Sequence, residues 1–87
     1  MQVAVIENTL TDIFREVFDN SSLTLARSMT AKDVKDWDSF NHVRLIVTVE
    51  QKFGISLPTH EVVNLRNVGE LIDLIGKYLA RRNSEIA

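Results

Sequence analysis

The spacing of apolar residues limits what this chain can fold into more than any other feature. Ile6, Leu10, Ile13, Phe14 and Val17 recur at intervals of three and four, one stripe of an amphipathic helix. Asp12, Arg15 and Glu16 fall off that stripe. The pattern predicts a helix over about 3–18, although the alternation of Val3 and Val5 leaves open a capped start near Asn8 or Thr9. A second run, over 39–53, carries Phe40, Val43, Val47 and Phe53 together with Leu45, Ile46 and Val49, so it should present a broad apolar surface touching more than one neighbour. Gly54 follows it and suits the left-handed position after a helix C-terminus. Ile55-Ser56-Leu57-Pro58 reads as short and extended, and Thr59 can cap a brief helix over about 60–65. Asn67-Val68-Gly69-Glu70 resembles a capping box and opens a last helix over about 68–82, with Leu71, Ile72, Leu74, Ile75, Tyr78 and Leu79. Gly76 inside it costs up to about 1 kcal/mol relative to Ala, so tertiary packing is expected to hold that helix. No strand-like alternation is long enough to build a sheet. The expected fold is all-α, a small four-helix bundle of three long helices and one short one.

Residues 19–38 have no sustained helical period. Asp19-Asn20-Ser21-Ser22 is turn-rich and stops the first helix. A connection of this length in a small domain is unusual, and usually functional when ordered. Leu23, Leu25, Met29, Val34 and Trp37 are spaced like anchors, so a long ordered loop is expected between the first two helices. At 87 residues the chain has room for one domain, 1–87.

Composition removes several kinds of function. With no cysteine there is no disulfide framework, thiolate zinc site or cysteine nucleophile, which fits a reducing cytoplasm, the expected compartment. No apolar run approaches the roughly 20 residues that cross a bilayer, so no membrane role is expected. The opening MQVAVIENTL has no basic segment followed by a long apolar one, and it does not read as a signal peptide. Asn20-Ser21-Ser22 is then a chance glycosylation sequon. A net charge of −2 without a basic stripe gives no support to nucleic acid as a partner. Arg81 and Arg82 fall at the end of the last predicted helix, where cations complement the helix dipole. The three glycines are scattered and form no phosphate loop, and His42 and His60 have no motif joining them to a metal. Ser39 and His42 lie one helical turn apart, but a hydrolase also needs an oriented base, an oxyanion hole and a pocket. His42 reads better as a partly solvated helix residue.

Attention therefore falls on "DWDSFNHVRLI", residues 36–46. Asp38 or Ser39 can be an N-cap, a role worth roughly 1 kcal/mol. A helix start also offers free N–H groups and a positive dipole end, which favour an attached phosphate. Trp37 reads first as a packing residue that sets the angle at which the chain enters the helix.

With these residues in view the chain resembles the acyl carrier proteins, small carriers of 4′-phosphopantetheine. The centre of the resemblance is Asp38-Ser39-Phe40, matching the family's Asp-Ser-Leu. Around it match Thr30-Ala31-Lys32-Asp33-Val34, then Val43, Leu45 and Ile46, then the run EQKFGISLP from Glu50 to Pro58, and Val68-Gly69 at the turn into the last helix. The resemblance implies that Ser39, beside Asp38, receives phosphopantetheine from coenzyme A through a separate magnesium-dependent transferase. It implies too that the thiol of that arm holds an acyl group as a thioester and that the chain, a monomer, is not itself an enzyme. Partners would be the phosphopantetheinyl transferase and enzymes that load and process the acyl group, as in lipid or polyketide biosynthesis. Their contacts would fall on Phe40, Asn41, Val43 and Arg44.

Two departures bear on which partners those are. Phe40 stands where the family usually has Leu. From Asp38 to Phe53 the two acids Asp38 and Glu50 balance Arg44 and Lys52, whereas fatty-acid carriers have a strongly acidic second helix. A carrier dedicated to a specialised pathway is the expected reading. Trp37-Asp38 before the serine, in place of glycine, favours acyl over peptidyl or aminoacyl cargo. The competing reading is an unmodified helical interaction module.

Overall fold

A computed structural model describes residues 2–86, with side chains through Arg82. Four helices follow in order: α1 (Val3–Val17), α2 (Ser39–Phe53), α3 (Thr59–Val62) and α4 (Val68–Ile86). No strand occurs among the described residues.

α1 begins directly after Gln2, whose carbonyl accepts from Val5 and Ile6 N–H, so the possible later start at Asn8 or Thr9 is not used. All five residues of its stripe are buried. They meet Leu45, Val49 and Phe53 of α2 and Leu71, Ile75 and Leu79 of α4 in one core. α1 stops at Val17, one residue before the expected end, with Phe18 as C-cap.

The structure corrects the broad apolar surface expected of α2. Leu45, Ile46, Val49 and Phe53 are buried, whereas Phe40, Val43 and Val47 are 74%, 62% and 46% exposed. At 3.6 residues per turn the two sets lie about half a turn apart, so only one can face α1 and α4. Gly54 ends the helix in the left-handed conformation (φ 66°), with its N–H on the Glu50 carbonyl.

α3 is a single turn, shorter than the 60–65 expected. Pro58 occupies the cap position without a side-chain bond, and Thr59 is the first helical residue instead of the cap. Leu65 N–H on the Val62 carbonyl then tightens the chain into a turn. α4 runs past 82, so Arg81 and Arg82 are interior to it; the Arg81 guanidinium lies 5.2 Å from the Tyr78 ring centre. The capping box is also altered. Asn67 Oδ1 accepts Glu70 N–H at 2.8 Å, but the Glu70 carboxylate reaches past Asn67 to Arg66 N–H at 2.7 Å and to its guanidinium.

The 19–38 loop is ordered as a chain of turns. Val34 is buried, and Leu23, Leu25, Met29 and Trp37 pack partly buried against the core. Its carbonyls at Met29 and Arg27 accept Val68 and Gly69 N–H at 2.9 and 2.8 Å, partners that a helix start lacks on its own. Any Cβ at residue 69 would lie 3.0 Å from the Arg27 oxygen, so glycine permits this approach. None of the described helices is long and apolar enough to cross a membrane.

Candidate functional site

The site is built at the junction of loop and α2. Asp36 adopts φ 70° and turns the chain, held by Asn41 Nδ2–H donating to its carbonyl at 2.8 Å. Asp38 then has the extended backbone of an N-cap, and its Oδ1 accepts Asn41 N–H at 2.9 Å. That resolves the choice between the two possible caps. Ser39, already helical, keeps an exposed side chain at the helix start, where the N–H groups ahead of Asn41 have no intrahelical partner.

Beside Ser39 a groove of about 750 Å³ runs between α2 and the α3 segment. Its walls are largely apolar: Val43, Ile46 and Val47 on one side, Leu57, Val62 and Leu65 on the other. Trp37 closes the loop end. Its ring meets Phe14 edge-on at 5.2 Å and lies 6.1 Å from Phe18, the packing role expected of it.

His42 does more than its half-buried position on α2 required. Its Nδ1 accepts Trp37 Nε1–H at 3.0 Å and its Nε2 faces the Val62 carbonyl at 3.3 Å. Both ring nitrogens are thus committed away from Ser39, and no Ser39–His42 dyad is formed. Sequence reasoning missed this bridge because Trp37 precedes the helix, where no i, i+4 rule applies; a lone Trp five residues before a His was the available signal. Across the groove, Glu61 accepts from Lys77 at 2.9 Å and from the Tyr78 hydroxyl. These bonds, that of Tyr78 foremost, hold the Glu61 carboxyl below its ordinary range, and the same bond pushes the Tyr78 hydroxyl up.

The other expected site residues are dispersed around the start of α2. Phe40, Val43 and Arg44 are exposed. Asn41 is half-buried, its amide shared between the Asp36 carbonyl and the Arg44 guanidinium, which donates to Oδ1 at 3.1 Å. No cluster of side chains suited to a metal ion occurs among the described residues.

Residues 8–75, which include Ser39 and the whole groove, match the phosphopantetheine attachment site family. The chain belongs to the acyl carrier protein family. The acyl carrier protein of Acidothermus cellulolyticus is 35% identical over 66 residues, 76% of this carrier and 79% of that protein. That of Renibacterium salmoninarum is 37% identical over 54 residues, 62% of this carrier and 64% of that protein. The solution structure of a holo acyl carrier protein from Geobacter metallireducens superposes with a TM-score of 0.83, at 44% identity and 88% coverage of each chain. The carrier's prosthetic group is 4′-phosphopantetheine, on which it holds an acyl group. Such a group fits this chain's own features: an exposed hydroxyl, unpaired helix-start N–H groups for a phosphate, and an apolar groove next to both.

Proposed function

We propose that Ser39 is the attachment point of phosphopantetheine and that the carrier delivers its acyl thioester to the enzymes of a specialised biosynthetic pathway. The observation that carries this reading is the division of labour at the start of α2: Asp38 makes the cap, which leaves the Ser39 hydroxyl exposed beside the groove. Asp38 fixes the backbone that presents Ser39, and the helix start favours the phosphodiester. When bound, the group supplies a thiol on a long flexible arm. The groove can shelter an apolar chain, each buried methylene contributing about 0.8 kcal/mol. Tethering raises the cargo's effective concentration at successive enzymes, so the chain needs no catalytic group of its own.

Phe40, Val43 and Arg44 form the face those enzymes meet, with Asn41 holding Arg44 in place. Glu50 is turned inward, accepting Leu57 N–H at 2.9 Å, so it adds little acidity to that face. A partner with an apolar socket and carboxylates near Arg44 fits it better than a basic patch does. The carrier works as a monomer in the cytoplasm, modified by a phosphopantetheinyl transferase.

Incubating the protein with coenzyme A, magnesium and a broad-specificity transferase tests the attachment. Intact mass should rise by one phosphopantetheinyl group, and Ser39→Ala should abolish the rise. An unchanged mass with a transferase shown to be active would overturn the reading.

A further inference from the structure

Three parts of the protein meet on one imidazole. Trp37 on the loop donates to His42 Nδ1 at 3.0 Å, the two rings stack with centroids 6.0 Å apart, and His42 Nε2 faces the Val62 carbonyl of α3. An indole N–H only donates and a carbonyl only accepts. Nδ1 therefore keeps its lone pair, and the one proton of a neutral ring sits on Nε2, toward Val62. A second proton, on Nδ1, would set two N–H donors against each other. Trp37, His42 and Val62 all line the groove, so this bridge spans it beside Ser39. α3 buries no residue of its own. Besides the bridge, it is tied to α4 through Glu61, with Lys77 and Tyr78.

We propose that neutral His42 is the positioning residue of the cargo groove: it holds α3 and Trp37 against α2 and shelters an acyl chain, and its protonation opens the groove. The inference rests on the carrier reading of Ser39. Imidazole is the side chain whose charge changes between about pH 5 and 8. Charged groups lie on α2 and its cap, on the loop and on α3 around it. On α2 these are Asp38 and Glu50, whose carboxylates are engaged by Asn41 and Leu57 N–H. Lys35 and Asp36 precede Trp37 on the loop. On α3 stand His60 and Glu61, the latter engaged by Lys77 and Tyr78 of α4, and beyond it Arg66 is paired with Glu70 at 2.9 Å. From α1 the uncharged rings of Phe14 and Phe18 face Trp37. Asp38, Glu50 and Glu61 are each held by other donors, and no bond from any of them to the His42 ring is formed.

The test uses the whole carrier loaded with octanoyl-phosphopantetheine. Loading is checked first by intact mass, so failure to load counts against Ser39 and not against His42. Hydroxylamine cleavage of the thioester is then followed from pH 8 to about pH 5, each rate divided by that of free octanoyl-pantetheine at the same pH. His42→Gln keeps an acceptor and a donor without titrating, and His42→Ala removes both. At pH 8 the wild type and H42Q should be equally protected and H42A cleaved at least about fivefold faster, the population change that loss of even one of the two net hydrogen bonds produces. Toward pH 5 the wild type should rise to the H42A rate while H42Q stays flat. Wild type and H42Q changing in parallel with pH, H42A no faster than wild type at pH 8, or H42Q as fast as H42A there, would each overturn the proposal. Should circular dichroism show H42A unfolded, the comparison of wild type with H42Q decides alone.

Discussion

Asp38 and Ser39 are adjacent, both good helix caps by residue type, and only one of them caps. Residue type alone left that choice open. Backbone conformation settles it, because Asp38 is extended (φ −108°, ψ −175°) where Ser39 has already joined the helix. Replacing Asp38 with Ala should cost about 1 kcal/mol, read as a lower urea midpoint at unchanged slope. Arg44 is exposed on α2 in the same stretch as exposed Phe40 and Val43, so Arg44→Glu should slow loading by the native acyl-loading enzyme. Transferase modification of Ser39 should stay nearly intact. Equal loading of both forms across a salt series would count against that role for Arg44. His42 teaches the opposite lesson from Asp38: its partners, Trp37 and Val62, lie on a loop and a one-turn helix, and neither relation has a sequence period.

Among the elements, α3 is held differently from the rest. The long helices bury apolar stripes, and those stripes were legible because burial on one side imposes a spacing of three and four. α3 has no fully buried residue: Val62 alone packs partly buried against the core and polar bonds, which impose no spacing, add to it, and its length was accordingly misjudged. Those bonds make its stability depend on pH. The Glu61 carboxyl is lowered from its ordinary value of 4.5, so its contribution is present above that value and is lost as pH falls through the lowered folded one. Tyr78 is raised from 10.0, so its contribution holds below that value and is lost as pH rises through the raised one. Hydrogen exchange should therefore show the amides around α3 less protected than the buried turns of α1, α2 and α4, and less protected again in Tyr78→Phe. Acidification below 4.5 should narrow the difference between Y78F and wild type, since protonating Glu61 removes the same charged acceptor.

At the scale of the molecule, one core serves all three long helices. The Cα radius of gyration, 12.4 Å, is close to the ~12 Å of a compact chain of this length. Phe14 is fully buried at the centre, touching Phe18 and Trp37 as well. Phe14→Ala should cost about 3–5 kcal/mol, a large part of the stability of so small a domain, and thermal unfolding by circular dichroism would show it. The core residues of α1 and α4 were readable from the sequence. Which apolar residues of α2 stay outside was not, because an exposed apolar stripe and a buried one have the same spacing. Phe40, Val43 and Val47, with Val63 at 68% exposure on the far side of the groove, therefore remain bare. Four such side chains fall well short of the ~800 Å² per partner in a standard interface. If partners dock through these side chains alone, rapid dissociation is expected of such encounters. Short dwell times would suit a courier, which must leave one enzyme before it can reach the next.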